Sequence, residues 1–134
     1  MNEQPIKSVA VIGLGSMGMG AAQSCVRAGL DVYGVDLNLE ALKTLKEYGA
    51  KAVSSNANDF AKDLDAVLLL LINAKQVKSV LFDSGLARAL KPNTAVMVSA
   101  TISAQDAKDI AAGLAEYQLI MLDAPVSGGA IKAA

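Results

Sequence analysis

Apolar runs of strand length alternate with amphipathic stretches of helix length along the chain, the pattern of a parallel sheet wrapped by crossover helices. Ser8 to Ile12 reads as the first strand, and the glycine-rich turn after it opens a helix reaching about Ala28. Gly18, Ala22 and Cys25 recur there at i, i+4 and i+7, a face of small side chains that can lie close on a sheet, and Gly29 supplies a left-handed cap. Asp31 to Val35 is the second strand. Asn38 then caps a helix with Leu42, Leu45 and Tyr48 on its apolar face, ended by Gly49. Lys51 to Val53 reads as a short third strand, Asn56 to Lys62 as a brief helix and Asp65 to Ile72 as the fourth strand. Gln76 to Phe82 makes another helix, broken at Asp83, Ser84 and Gly85. The turn at Lys91, Pro92 and Asn93 introduces a fifth strand, Thr94 to Ser99. Ser103 and Asp106 form a weak capping box for a helix with Ala107, Ile110, Ala111 and Leu114 on one face, and Gln118 to Leu122 is the sixth strand. The fold class is therefore α/β, a doubly wound parallel sheet.

A chain of 134 residues, 53% of them apolar, buries one core, so residues 1–134 read as one domain. It reads as incomplete at its C-terminal end, because a further helix or turn should begin at Lys132, Ala133 and Ala134. Twelve basic residues against thirteen acidic, without a run of either sign, leave no electrostatic footprint for nucleic acid or an anionic membrane. The longest apolar run, Ala66 to Ile72, falls far short of the ~20 residues of a membrane span. Val9 to Met19 has the composition of a secretory leader's core, yet it is a complete strand, turn and helix, and Glu3 weakens the positive flank a leader needs; the expected compartment is the cytoplasm. With Cys25 alone and no histidine, a disulfide framework and the usual zinc sites are excluded, so the chemistry is expected to be organic and metal-free.

Gly13, Gly15 and Gly18 form a G-x-G-x-x-G directly after a strand and at the opening of a helix, the context that gives the motif meaning. The first glycine permits the tight turn, the second lets a pyrophosphate approach the backbone, and the third lets helix and strand pack closely. Free N–H groups at the helix start then hold the phosphates. Asp36, at the end of the second strand, stands at the separation expected of a carboxylate that accepts the adenosine ribose hydroxyls. The same carboxylate repels a 2′-phosphate, and Leu37, Asn38 and Leu39 offer no arginine to receive one, which favours NAD over NADP. The alternative role for Asp36 is an Asx turn into the next helix.

Ligands of a doubly wound sheet collect beyond the C-terminal ends of its strands, so Leu71 to Gln76, Ala100 to Ser103 and Asp123 to Gly129 should line the crevice. In the last stretch Ser127 offers a hydroxyl, and Gly128 and Gly129 offer unobstructed backbone N–H groups, a combination suited to a carboxylate or, without a ligand, to a plain turn.

Gly-Leu-Gly-Ser-Met-Gly at 13–18, Asp36-Leu37-Asn38, Thr101-Ile102-Ser103 and Asp-Ala-Pro-Val-Ser-Gly-Gly at 123–129 together resemble the β-hydroxyacid dehydrogenases over the whole chain. The resemblance implies that Gly13, Leu14, Gly15, Ser16, Met17, Gly18 and Asp36 bind NAD and that Leu71 and Ile72 border it. It also implies that Thr101 lies near the nicotinamide ribose and that Ser127, Gly128 and Gly129 bind a small hydroxyacid. Two positions depart from the pattern: Ile72 stands where the family usually has proline, which is expected to loosen the loop over the cofactor, and Ala100 stands where it has serine, deleting a hydroxyl.

Oxidising an alcohol with NAD needs a base for the hydroxyl proton, and no residue here is an evident one. Cys25 belongs on a packed helix face, and Tyr33, Tyr48 and Tyr117 read as packing residues. Lys132 reads as a solvated surface charge. The resemblance implies that the catalytic lysine lies beyond Ala134, in an all-helical domain through which the intact protein forms a homo-oligomer. The chain alone is therefore expected to bind NAD weakly and to turn over nothing. A non-catalytic NAD-sensing regulatory module is the alternative, sharing the glycine turn and the strand-two acid but having no need of residues 123–129.

Overall fold

The computed structural model describes residues 6–100 and 102–123. Six parallel strands run in the order β3-β2-β1-β4-β5-β6: β1 (Ser8–Ile12), β2 (Asp31–Val35), β3 (Ala52–Ser54), β4 (Ala66–Leu69), β5 (Ala95–Val98) and β6 (Ile120–Asp123). β1 pairs with β2 from Ser8↔Asp31 to Ile12↔Val35 and with β4 from Val9↔Ala66 to Ile12↔Leu69.

The apolar runs are continuous because helices cover both faces of the sheet. Alternate residues of one strand serve different cores: Ala10 and Ile12 of β1, with Val67 and Leu69 of β4, face one cluster, and Val9, Val11, Ala66 and Leu68 face the other. The second cluster is closed by α1 (Ser16–Arg27) and α2 (Leu39–Tyr48) through Ala21, Ala22, Cys25, Leu42 and Leu45. The first is closed by a 3-10 helix (Ala57–Asp63), α3 (Ala74–Lys78), a π-helical stretch (Ser79–Asp83), α4 (Leu86–Ala89) and α5 (Ala104–Ala115).

Caps set the helix boundaries much as expected. Asn38 Oδ1 accepts from the N–H groups of Glu40 and Ala41, Gly29 takes φ +91° after α1, and Gly49 takes φ +133° after α2. Ser103 Oγ accepts from Asp106 N–H, but Asp106 does not return the bond to the cap backbone; its carboxylate turns to Ser103 Oγ and to Lys78 of α3 at 2.9 Å. That ion pair draws Asp106 below its ordinary pKa and Lys78 above its own, in each case chiefly through their mutual hydrogen bond.

The expected helix at Gln76–Phe82 is in fact two pieces, α3 and the π-helical stretch, and α4 follows where no helix was expected. The fourth strand is shorter than the apolar run suggests. Its ladder ends at Leu69 with one more bond, Leu70 N–H to Ile12 O at 2.8 Å, so Leu71 and Ile72 have left the sheet. Tyr48 and Tyr117 are 41% and 39% exposed rather than packed, and the Tyr48 hydroxyl accepts from Arg27 at 2.6 Å. Tyr33 and Cys25 are buried as expected, and burial pushes the Cys25 thiol up in pKa.

Candidate functional site

β1 and β4 are neighbours whose chain connections lead to opposite edges of the sheet, and a crevice opens between those connections at the strands' C-terminal ends. Here it is a cleft of about 560 Å³. Ile12, Gly13 and Gly15 floor it, Val35, Asp36, Leu37 and Ser55 form one wall, and Leu70, Leu71, Ile72, Gln76, Ser79 and Val80 form the other.

The three glycines of the turn are required for different reasons. Gly13 sits at φ +98°, its N–H donates to Val35 O at 2.9 Å, and a Cβ on it would lie 2.3 Å from Leu70 O. A Cβ on Gly18 would lie 1.7 Å from Gly13 O, so the third glycine is pressed against the turn's own backbone. Gly15 is the opposite case, with φ −66° and, among the described residues, no atom beyond its chain neighbours within 4 Å of where a Cβ would stand. Protein packing demands the outer two glycines, whereas the middle one leaves space in which a ligand can approach bare backbone. Gly15 is also the N-cap of α1 and provides no side-chain cap. The first helical bond runs from Met19 N–H to Gly15 O at 2.7 Å, which leaves the N–H groups of Ser16, Met17 and Gly18 without intrahelical partners. The first turn has no acidic residue, so these donors and the positive end of the helix dipole suit a diphosphate.

Asp36 leaves β2 beside this turn. Its Oδ2 accepts from Leu14 N–H at 2.6 Å and its Oδ1 from Asn38 N–H at 2.9 Å. The second bond is the Asx turn into α2, and Asp36 also stands among the residues that line the cleft. Among the described residues no lysine or arginine pairs with it.

The opposite wall follows from how the chain leaves β4. Asn73 Oδ1 caps α3 by accepting from Gln76 N–H at 3.0 Å, and Gln76 Oε1 reaches back to accept from Ile72 N–H at 2.8 Å. The expectation that Ile72 loosens this loop is therefore countered by a bond that a proline could not donate.

Of the residues singled out from the sequence, Gly13, Gly15, Asp36, Leu71, Ile72 and Gln76 meet at one cleft. Leu14 is buried against the core, with its N–H committed to Asp36, and Gly18 is buried against the turn. Ser16 and Met17 line a smaller groove, of about 270 Å³, along α1. Ala100 and Ile102 pack against the core rather than into the cleft. Thr101, Ser127, Gly128, Gly129 and Lys132 lie outside the described residues. Leu37, Ser55, Ser79 and Val80 were missed. Ser55 directly follows β3 and would have been found by applying the strand-end rule to every strand, but Ser79 and Val80 reach the cleft from a π-helical turn that apolar periodicity does not mark. Among the described residues no cluster of acidic, histidine or cysteine side chains could hold a metal ion, and no helix is long and apolar enough to cross a membrane.

This geometry is that of a dinucleotide-binding domain. Residues 8–134 match the family described as the NAD binding domain of 6-phosphogluconate dehydrogenase, and the chain belongs to that family. It is 64% identical over 127 residues to the L-threonate dehydrogenase of Haemophilus influenzae, a match covering 94% of this chain and 42% of that protein. A crystal structure of a 3-hydroxyisobutyrate dehydrogenase from Salmonella typhimurium superposes with a TM-score of 0.89 at 55% identity, over 95% of this chain and 44% of that one. A 3-hydroxyisobutyrate dehydrogenase of Mycobacterium tuberculosis, solved with L-serine, superposes at 0.85 with 31% identity, over 93% and 42%. The chain thus spans 42% of the length of the curated relative and similar shares of the solved ones. The resemblance to β-hydroxyacid dehydrogenases is borne out, and NAD is the cofactor that this family's domain takes.

Proposed function

We propose that the protein is an NAD-dependent oxidoreductase that moves hydride between NAD and a small hydroxyacid, with L-threonate the first substrate to test and 3-hydroxyisobutyrate or tartronate semialdehyde in the same class. The observation that carries this is an open Gly15 and the Asp36 carboxylate lining one cleft, with the intervening Leu14 N–H bonded to Asp36. The relative named L-threonate dehydrogenase supports the choice of substrate.

In this reading the N–H groups of Ser16, Met17 and Gly18 hold the diphosphate while Asp36 accepts the ribose hydroxyls and repels a 2′-phosphate. Leu71 and Ile72 wall off the cofactor, Thr101 lies near the nicotinamide ribose, and Ser127, Gly128 and Gly129 grip the substrate carboxylate. NAD held there would supply the acceptor for hydride from the carbinol carbon. A lysine in a helical domain beyond residue 134 takes the hydroxyl proton, and that domain assembles the protein as a homo-oligomer in the cytoplasm.

The test is turnover of three- and four-carbon hydroxyacids with NAD and NADP, using protein translated from the uninterrupted reading frame and read by nicotinamide absorbance. Activity is expected with NAD in preference to NADP and with L-threonate in preference to its homologues. NADH binding with no turnover of any hydroxyacid would favour a regulatory module, and failure of the folded protein to bind millimolar NADH would overturn the reading altogether.

A further inference from the structure

We propose that Gln76 is a positioning residue for the cofactor cleft, its side-chain carbonyl holding the Ile72 N–H and so fixing where the Leu71–Ile72 wall stands against the dinucleotide. The proposal rests on the reading that this cleft takes NAD. Beyond Leu70 the sheet no longer holds the chain, and Ile72 projects into solvent at 76% exposure. A segment so placed drifts unless something outside the ladder holds its backbone.

The first turn of α3 supplies that hold with two crossed bonds. Asn73 Oδ1 takes the Gln76 N–H at 3.0 Å, and Gln76 Oε1 takes the Ile72 N–H at 2.8 Å. In an ordinary capping box the side chain three residues into the helix returns to the N-cap's own N–H. Here it reaches one residue further back, to a position outside α3 that is itself part of the cleft wall. The bond therefore satisfies no backbone group of the helix; what it fixes is the wall. Gln76 also lines the cleft, together with Ser79 and Val80 of the next turn.

The experiment is a double-mutant cycle on the intact protein: NADH titrated into the unaltered protein, Gln76→Met, Ile72→Pro and the double variant. Methionine keeps the length and helix propensity of glutamine but offers a poor acceptor, and the proline variant has no N–H to be held. Gln76→Met should weaken NADH binding about five-fold, because the wall must then be ordered as the cofactor binds, and should lower the unfolding midpoint only slightly, since the N–H of an exposed segment can bond to water instead. In the Ile72→Pro background the same change should alter affinity less than about two-fold, because no bond is left to lose. Amide exchange of Ile72 should accelerate in Gln76→Met alone, a readout independent of how the proline variants fold. Unchanged exchange at Ile72, unchanged affinity in Gln76→Met, or an equal loss in both backgrounds would each overturn the proposal. Lack of NADH binding by the unaltered protein would show instead that the cofactor reading is wrong, and this proposal would fall with it.

Discussion

The two ends of β1 are closed by the same device, a carboxylate from a neighbouring segment that accepts backbone N–H groups, yet only the Asp36 end opens on the candidate cleft. Where the strand begins, Asp65 Oδ2 accepts from Lys7 N–H at 3.0 Å and Ser8 N–H at 2.9 Å, and Lys91 stands 3.5 Å from its other oxygen. Where the strand ends, Asp36 accepts from Leu14 and Asn38, without a cation among the described residues, beside a cleft of about 560 Å³. Both acids fasten the fold. What separates them is what each meets: Asp65 pairs with Lys91, whereas Asp36 has no cation partner among the described residues and lines space of ligand size. An acid's chemical role is thus read from the remainder after its structural bonds are counted.

The largest expected effect comes from breaking the Asp36 end at its backbone. Gly13→Ala places a side chain at φ +98° and 2.3 Å from Leu70 O, combining conformational strain with overpacking between two backbones. Stability should fall by about 3 kcal/mol in urea denaturation, and NADH binding should be lost with it. Asp36→Ala separates the two roles of the acid. Stability should fall by about 1–2 kcal/mol as the Leu14 N–H loses its acceptor, while NADH affinity in calorimetry should fall by about 10- to 100-fold, the range of a hydrogen bond to a charged group. An affinity drop no larger than the stability loss explains would make Asp36 as purely structural as Asp65. Gly15→Ala sharpens the contrast in the other direction, because its Cβ meets nothing within 4 Å. Its stability should remain within about 1 kcal/mol of the parent while NADH affinity falls about ten-fold, through obstruction of the diphosphate's approach.

The parts of this site that could be read from the sequence are those whose chemistry is local. A glycine turn between a strand and a helix has little freedom, and a carboxylate at the end of β2 is carried to that turn by parallel pairing alone, so the juxtaposition of Gly13, Gly15, Gly18 and Asp36 could be read from residue order. The β4 wall could not. The run Ala66 to Ile72 is apolar throughout, and nothing in hydrophobicity marks Leu69 as the last residue of the ladder. The four residues of α4 are too few to display a helical period, and the π-helical Ser79–Asp83 departs from the period that pattern reading assumes. Tyr48 continues the apolar spacing of Leu42 and Leu45, but at the last position of α2 it reaches past the core to Arg27. The reach of Gln76 to Ile72 depends on a rotamer and on where the chain leaves the sheet, neither of which is written in residue spacing.

The smallest effect belongs to the start of β1, and its sign with pH follows from the acid there. Burial alone would raise the pKa of Asp65, but the N–H groups of Ser8 and Lys7 and the Lys91 ammonium outweigh it and hold the carboxyl below its ordinary 3.8. A carboxylate with a depressed folded-state pKa contributes stability that is fully present above the unfolded value and is lost as pH falls through the folded one. Asp65→Asn should therefore lower the urea midpoint modestly at pH 7 while leaving NADH affinity unchanged, since Asp65 lies at the far end of the strand from the cleft. Below pH 3.8 the gap between parent and variant should narrow and then close as the parent's own carboxyl takes up a proton and ceases to be an anion. A gap that stayed constant into acid would mean that shape rather than charge fastens this end. A change in NADH affinity would mean that the two ends of β1 are coupled along the strand, and the distinction between a structural and a functional acid would then fail.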